Sequence, residues 1–222
     1  MEQRRDSATA YIILADGFET IEALTPLDVL RRCGVEVTTI SLNQTRAVRS
    51  SHGVTVEADA TMEDFMHNCN CCASGTGTGT NSSIAGSSTT ASSANTTAGS
   101  CLRQALILPG GYPGYKNLCE SAEVGALITQ FHKEGKLLCA ICGAPTALKA
   151  NQICRGAAIT CHTSVKEELS DYYSILSSAV VKYMNIITGM GAGRSLDFAF
   201  AIAEALTSKE KVEEIKAKME II

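Results

Sequence analysis

The chain has 222 residues, with 19 lysines and arginines against 23 aspartates and glutamates, and a formal net charge of −4 at pH 7. This length predicts one domain, or one domain that carries an insertion. The weakly acidic charge argues against a nucleic-acid-binding surface or an anchor on anionic membranes. No apolar run approaches the roughly 18 residues that a bilayer span needs, and residues 1–10 are polar. We therefore expect a soluble, cytoplasmic protein that binds neither nucleic acid nor membranes.

Ten residues are cysteines, a smaller share than the roughly 8–10% that is typical of short, disulfide-rich secreted scaffolds. We therefore expect reduced thiols. Cys69, Cys71, Cys72 and Cys101 could in principle hold a metal ion, but their spacing does not match a zinc ribbon. The sequence thus predicts no metal site.

One segment has a distinct composition. No Lys, Arg, Asp or Glu occurs from Phe65 to Leu102, and residues 73–100 are almost entirely Ala, Ser, Gly, Thr and Asn. Such a segment has too few apolar side chains to offset the entropy lost on ordering. We predict a disordered insertion at about 65–102 in a single domain that spans residues 1–222.

The rest of the chain alternates short apolar runs with helical patterns. In chain order, the predicted strands are Ala10–Ala15, Val35–Leu42, Ala105–Leu108, Leu137–Ile141, Ala157–Thr160 and Asn185–Thr188. The predicted helices are Thr25–Gly34, Ser121–Gly135, a helix that begins near Pro145, Ser195–Leu206 and Lys209–Ile222. Continuous apolar runs are typical of strands covered on both faces. This alternation predicts an α/β fold, a doubly wound sandwich with a mostly parallel sheet.

Binding sites of open parallel sheets lie beyond the carboxyl ends of the strands, and Cys142 stands at such a position. It follows the predicted strand Leu137–Ile141 and precedes Gly143 and Pro145, a pattern typical of a strand that turns sharply into a helix. Free backbone N–H groups and the helix dipole would lower the pKa of the thiol there. The alternative is that Cys142 is simply a small buried residue at the end of a strand, since most free cysteines are buried.

Two glycine segments and a carboxyl group are further candidates. Gly110 and Gly111 follow a predicted strand and let a ligand approach the backbone closely, although the same pattern marks an ordinary turn. The amides of Gly111 and Gly143 could form an oxyanion hole. Glu22 lies one helical turn beyond Glu19 and could hold the thiol proton or act as a general acid or base. A solvated helix N-terminus would also favour glutamate.

His162 follows the predicted strand Ala157–Thr160 and is a candidate general base or hydrogen-bond partner of Cys142. A lone histidine is more often structural or solvent-exposed, so this role depends on Cys142. Cys139 and Cys142 have the spacing of a dithiol motif, but strand positions three apart point to opposite faces. We therefore expect Cys139 in the core.

Together, several ordered segments resemble the ThiJ/PfpI superfamily, and within it the branch of the Parkinsonism-associated protein deglycase. These segments cover nearly the whole chain. They are Ile13–Thr38, Leu106–Leu118, Leu137–Leu148, Ile159–Lys166 and Ile187–Leu206. The resemblance implies a flavodoxin-like sandwich that forms a homodimer.

The same resemblance implies a reactive cysteine at Cys142, a carboxyl at Glu22 that hydrogen-bonds it and an imidazole at His162 beside it. Gly111 and Gly143 match the positions of the oxyanion-hole amides. The intracellular peptidases of this superfamily resemble Cys-His-Gly at this position, so a histidine follows their nucleophilic cysteine. In this chain Gly143 follows Cys142. The peptidase function is therefore disfavoured.

Two functions follow as expectations from the resemblance. The first is a cofactor-independent glyoxalase or protein deglycase that acts on a small 2-oxoaldehyde such as methylglyoxal, or on early glycation adducts of proteins. The second is an oxidative-stress sensor or chaperone-like protein in which Cys142 is oxidised to a sulfinate without significant turnover.

Overall fold

The computed structural model describes residues 8–68 and 104–221. The strands in these residues are β1 (Thr9–Leu14), β2 (Glu36–Ser41), β3 (Ala47–Arg49), β4 (Thr55–Glu57), β5 (Ala60–Thr61), β6 (Gln104–Leu108), β7 (Leu137–Ile141), β8 (Ala158–Ile159), β9 (Ser174–Ile175), β10 (Val180–Tyr183) and β11 (Ile186–Gly189). The helices are α1 (Thr20–Arg32), α2 (Met62–Asn68), α3 (Gly114–Glu120), α4 (Ala122–Lys133), α5 (Pro145–Ala150), α6 (Lys166–Leu169), α7 (Ser195–Leu206) and α8 (Lys209–Lys218).

Within the described residues, the main sheet has the strand order β10-β11-β7-β6-β1-β2-β5. Every neighbouring pair is parallel except β10 and β11, which form an antiparallel pair at one edge. The chain places β2 on one side of β1 and β6 on the other, so the winding direction reverses at β1. This confirms the predicted flavodoxin-like sandwich with a mostly parallel sheet.

Apolar side chains cover both faces of the sheet. Successive residues of β1 alternate between the faces: Ile12 and Leu14 belong to one buried cluster, and Ile13 belongs to the other. The first cluster includes Phe198 of α7, and the second includes Phe131 of α4. Burial on both faces explains the continuous apolar runs seen in the sequence.

Helix α1 begins at Thr20, so the predicted start at Thr25 is wrong. Pro26 lies inside the helix rather than in its first turn. The buried residues of α1 recur with helical spacing from its first turn onward; they are Glu22, Ala23, Pro26, Val29 and Leu30. The stripe includes Glu22 and Ala23, which precede Pro26. Because their burial requires helical backbone before the proline, the helix begins at Thr20 and continues through Pro26.

The predicted strand Ala157–Thr160 contains only β8, and β8 pairs with β9 in a separate sheet rather than with the main sheet. The backbone N–H of Thr160 donates to the Thr188 side chain at 2.9 Å, which links the segment to β11. A hydrogen bond to a side chain does not extend a strand ladder. This explains why an apolar run beside the sheet does not join it.

The first four residues of the predicted insertion at about 65–102, residues 65–68, belong to α2. Phe65 is 9% exposed, and the centre of its ring lies 4.9 Å from that of Tyr11 on β1. The other residues of this prediction, from 69 to 102, lie outside the described part of the chain. In residues 8–68 and 104–221, we find no helix with the length and apolar character needed to cross a bilayer.

The packing of Phe65 makes its contribution to stability testable. We expect Phe65→Ala to lower the free energy of unfolding by about 3 kcal/mol, because it removes a buried aromatic ring. Urea denaturation followed by circular dichroism measures this value. His67→Ala, at an exposed position of the same helix, should change it by less than about 0.5 kcal/mol. An unchanged value for Phe65→Ala would contradict this packing.

Candidate active site

The candidate site lies where the carboxyl ends of three neighbouring parallel strands meet. Strands β1, β6 and β7 lie side by side in the order β7-β6-β1. Glu22 follows β1, Gly110 and Gly111 follow β6, and Cys142 follows β7. The winding direction reverses at β1, and ligand sites of such sheets usually lie at this edge, next to the point of reversal.

Cys142 occupies the sharp turn between β7 and α5. Its φ of +65° lies in the left-handed region, which residues other than glycine seldom adopt. Two backbone hydrogen bonds hold this conformation: the Cys142 N–H donates to Gly189 O at 3.0 Å, and the Cys142 carbonyl accepts the His162 N–H at 2.9 Å. The side chain is partly exposed. The turn therefore presents the sulfur at the edge of the sheet.

Glu22, in the first turn of α1, brings a buried carboxyl to this thiol. Glu22 is 0% exposed to solvent, and its Oε2 accepts the Gly110 N–H at 2.9 Å. Its Oε1 is buried, and within the described residues no partner meets strict hydrogen-bond geometry with it. The side chain of Cys142 lies close enough to act on the carboxyl by hydrogen bonding. The carboxyl thus has one fixed backbone donor and one adjacent thiol.

The absence of a side chain at Gly110 allows the two groups to meet. A Cβ on Gly110 would lie 2.6 Å from Cys142 Cβ, 2.7 Å from Glu22 Oε2 and 3.1 Å from Cys142 Sγ. The first two distances are too short for non-bonded atoms. Glu22 and Cys142 therefore converge on the same face of Gly110, and a larger residue there would separate them.

The surroundings raise the pKa values of both groups. Burial raises the pKa of Glu22 to about 7, with the nearby charge of Glu19 adding to the effect, against smaller opposing contributions from Cys142 and the Gly110 N–H. Burial, followed by the charge of Glu22 and its hydrogen bond, raises the pKa of Cys142 to about 12. The amides of Gly111 and Gly143 donate to the sulfur and act in the opposite direction.

The predicted lowering of the Cys142 pKa is therefore wrong. The helix after Cys142 has only six residues and begins at Pro145, so the thiol lies before a short helix with a weak dipole. Two amide donors do not compensate for burial next to a carboxylate. Glu22 therefore loses its proton near neutral pH, whereas the Cys142 thiol keeps its own. An ionised Glu22 is then positioned to remove the thiol proton.

Two of the predicted glycines meet close contacts that exclude a side chain. Gly111 has a φ of +89°, and a Cβ there would collide with the backbone of Gly17 and Glu19. At Gly143, a Cβ would lie 2.7 Å from the nearest ring atom of Tyr115. Both amides donate to the sulfur of Cys142. The structure therefore places the two predicted oxyanion-hole donors together around the thiol.

His162 adjoins Cys142 through its backbone. Its side chain is exposed, and its Nδ1 accepts the Ser164 N–H at 3.2 Å and lies 2.8 Å from Ser164 Oγ. With Nδ1 as an acceptor, the neutral ring carries its proton on Nε2. The contact with Cys142 that the structure shows is the backbone hydrogen bond. The catalytic role of the imidazole stays a prediction.

Cys139 does not belong to the site. Cys139 is 0% exposed and belongs to the core, as predicted from its opposite strand face, and burial strongly raises the pKa of its thiol. The four cysteines considered as a metal site lie outside the described residues.

A polar group at the start of α1 lies beside the predicted site residues. Glu19 Oε2 accepts the Ser51 hydroxyl at 3.2 Å and lies 3.1 Å from His52 Nδ1. The carboxylate of Glu19 therefore stays near Glu22 and adds to the rise in its pKa. Residues 51 and 52 follow a short hairpin strand that the sequence pattern did not predict. Tyr112 and Tyr115 were also missed, although Tyr112 directly follows the Gly110-Gly111 turn and Tyr115 lies three residues further along the chain.

Known proteins resemble this chain over most of its length. The model of the DJ-1/PfpI family matches residues 8–205. The chain belongs to the DJ-1/PfpI family. Protein dj-1beta of Drosophila melanogaster is 33% identical over 210 residues, which are 94% of this chain and 95% of the relative. The crystal structure of that protein superposes with a TM-score of 0.79 at 31% identity and covers 97% of this chain and 99% of that chain.

Two other relatives in the DJ-1/PfpI family extend the comparison. The Parkinson disease protein 7 homolog of Danio rerio is 31% identical over 212 residues, which are 95% of each chain. The glutathione-independent glyoxalase DJR-1.2 of Caenorhabditis elegans is 38% identical over 107 residues, which cover 48% of this chain and 56% of that protein. The predicted family resemblance is thus confirmed.

The coupling of Glu22 and Cys142 predicts a distinctive pH profile for alkylation. We expect the rate of Cys142 alkylation by iodoacetamide to rise as pH passes through about 7, because Glu22 then loses its proton and can accept the thiol proton. In Glu22→Gln this inflection should disappear. The pKa of Cys142 should also fall below its wild-type value, because the carboxylate charge that opposes the thiolate is gone.

Mass spectrometry of the individual cysteine peptides measures these rates. Cys154, another partly exposed thiol, provides the internal reference, and its profile should be the same in the wild type and in Glu22→Gln. If Glu22→Gln keeps the inflection near pH 7, another group controls the reactivity of Cys142.

Proposed function

We propose that the protein is a cysteine-dependent, cofactor-independent glyoxalase or protein deglycase. The observation that carries the proposal is the convergence of a partly exposed thiol and a buried carboxyl over Gly110, with two backbone amides directed at the sulfur. A nucleophile, a proton acceptor and donors for a developing oxyanion are the groups that addition to an aldehyde requires.

The first step is addition of the thiol to the aldehyde carbon of a 2-oxoaldehyde. Ionised Glu22 removes the proton of the Cys142 thiol as the S–C bond forms, and the electron pair of the carbonyl moves onto its oxygen. The amides of Gly111 and Gly143 stabilise that oxyanion. Protonated Glu22 then returns the proton to the oxygen, which gives a neutral hemithioacetal. A carboxyl with a pKa near 7 suits both transfers at neutral pH.

The second step moves hydrogen between the two carbons of the former 2-oxoaldehyde. Glu22 removes the proton from the carbon bonded to sulfur, and a proton passes to the neighbouring carbonyl oxygen, which gives an enediol. Protonated Glu22 then donates its proton to the neighbouring carbon, and the hydroxyl on the sulfur-bearing carbon returns a proton to the group that protonated the carbonyl oxygen, which yields a hydroxyacyl thioester. Water then hydrolyses the thioester to the 2-hydroxy acid and restores the Cys142 thiol. The net reaction adds one water and needs no electron acceptor.

The Nε2–H of His162 is the donor that we assign to the carbonyl oxygen in this step. Its Nδ1 accepts the Ser164 N–H, which leaves the proton on the opposite nitrogen. In the deglycase version, the same thiol attacks the carbonyl-derived carbon of an early adduct on a protein amine. The amine leaves with a proton, and the later steps are the same.

The name of the C. elegans relative supports a glyoxalase that needs no glutathione. A free thiol of the protein supplies the sulfur that glutathione would otherwise provide, and Cys142 fits that role. The homodimer and the cytoplasmic location stay predictions.

The proposal predicts lactate formation from methylglyoxal without glutathione. Wild-type protein should produce lactate, and both Cys142→Ser and Glu22→Gln should lower kcat/KM by at least about 100-fold, because they remove the nucleophile or its base. Enzymatic assay of D- and L-lactate measures the product.

Cys154→Ser is the matched control, since it removes a partly exposed thiol from another part of the fold, and it should keep wild-type activity. Undiminished lactate formation by Cys142→Ser would refute the mechanism.

A second candidate function is a peroxide sensor that forms a sulfinate on Cys142. The observation that favours it is the direction of the Gly111 and Gly143 amides, which donate to the sulfur itself and would bind oxygens attached to it. Oxidation of the thiol by two hydrogen peroxide molecules gives the sulfinic acid and two waters. Protonated Glu22 would donate a hydrogen bond to the sulfinate.

Mild peroxide treatment distinguishes this candidate from the enzyme. A sensor should gain two oxygens at Cys142 before Cys119 and Cys154, the other partly exposed thiols of the described residues, and should show negligible lactate formation. Peptide mass spectrometry measures the oxidation. Equal oxidation of the three thiols would exclude a dedicated sensor.

A further inference from the structure

An aromatic side chain lies directly against the candidate active site. A Cβ on Gly143 would lie 2.7, 2.8 and 2.9 Å from Cδ1, Cγ and Cε1 of Tyr115. Three adjacent ring carbons at nearly equal distances show that Gly143 faces the flat side of the ring. Because Gly143 follows Cys142 and its amide donates to the sulfur, the ring of Tyr115 borders the reacting atoms.

Tyr115 is only partly exposed, and burial raises the pKa of its phenol. The charge of Cys142 contributes to the same rise, so the phenol lies within electrostatic range of the thiol. The ring thus has one side packed on the backbone of the site and part of its surface open to solvent.

A second ring extends this surface outward. Tyr112 is 67% exposed, and its ring centre lies 6.3 Å from that of Tyr115 with an angle of 57° between the planes. The Lys116 ammonium lies 5.7 Å from the centre of the Tyr112 ring. Such an exposed aromatic side chain, beside the Tyr115 ring and supported by a cation, offers contact area to a bound molecule.

We propose that Tyr115 and Tyr112 form an aromatic wall that makes the site select 2-oxoaldehydes with a flat aromatic substituent over methylglyoxal. The inference rests on the proposed glyoxalase function and names its preferred substrate class. The aldehyde carbon reaches Cys142, and the aryl group lies along the wall.

The geometry of the wall suits an aryl group better than a methyl group. Two tilted rings offer a flat face and an edge to a third ring, and aromatic pairs of these kinds gain interaction energy beyond the area that they bury. A methyl group is too small to contact both tyrosines. The selectivity therefore comes from the side chains at positions 112 and 115, whereas the chemistry comes from Glu22 and Cys142.

The test compares phenylglyoxal with methylglyoxal as substrates. The readout is the ratio of their kcat/KM values, because differences in intrinsic reactivity cancel when this ratio is compared between variants. We expect Tyr115→Ala to lower the ratio on the order of fivefold and Tyr112→Ala to lower it on the order of twofold, as aromatic contacts are lost. Tyr115→Phe keeps the ring and should keep the ratio.

Tyr183→Ala is the matched control, because it removes a tyrosine that is 38% exposed on the edge strand β10. Its ratio should equal that of the wild type. Tyr112→Ala keeps the test valid if Tyr115→Ala does not fold, since Tyr112 is mostly exposed.

The outcomes separate the two proposals. Hydroxy-acid formation from neither substrate by the wild type would overturn the proposed function, and the aromatic wall with it. Turnover of both substrates with an equal ratio in the wild type, Tyr115→Ala and Tyr112→Ala would overturn the wall alone. A parallel loss of activity toward both substrates in Tyr115→Ala, with the ratio unchanged, would mean that the ring only supports Gly143, and this too would overturn the wall.

Discussion

The site depends on the burial of one carboxyl group. Glu22 is fully removed from solvent, yet the only nitrogen donor in the described residues that holds it is the N–H of Gly110. Desolvation of a carboxylate that is this poorly compensated favours the protonated form and moves its titration to neutral pH. The same burial forces the carboxyl against the Cys142 thiol. The reactivity of the sulfur and the proton transfers proposed for it both follow from this placement.

The sheet topology explains how groups so distant in the chain come together. Glu22 and Gly110 are separated by 88 positions, but β1 and β6 are neighbours, and their carboxyl ends deliver both residues to one edge. Glycine at positions 110, 111 and 143 then allows contacts that a Cβ would block. The sheet topology therefore brings the reacting groups together, and the absence of a side chain at the three glycines leaves room for them.

The sequence was informative where its local pattern matched the final environment. The apolar run ending at Cys142 predicted both the buried strand and the turn that follows it, and Ser195–Leu206 predicted α7 with the correct bounds. Predictions failed where distant contacts decide the outcome. Pro26 suggested a helix start that the buried stripe of α1 overrides, and Ala157–Thr160 lacks the partner strand needed to join the main sheet. The pKa of Cys142 depends on Glu22, 120 positions away, and no local pattern contains that charge.

The left-handed backbone at Cys142 has an evolutionary consequence. A residue with a Cβ pays a steric penalty in this conformation, whereas glycine adopts it freely. Mutation toward glycine at position 142 would therefore relax the turn while deleting the sulfur. In a related protein that no longer uses the thiol, substitution of this cysteine by glycine would relieve the strain. The residue at this turn therefore indicates whether such a protein still uses the thiol.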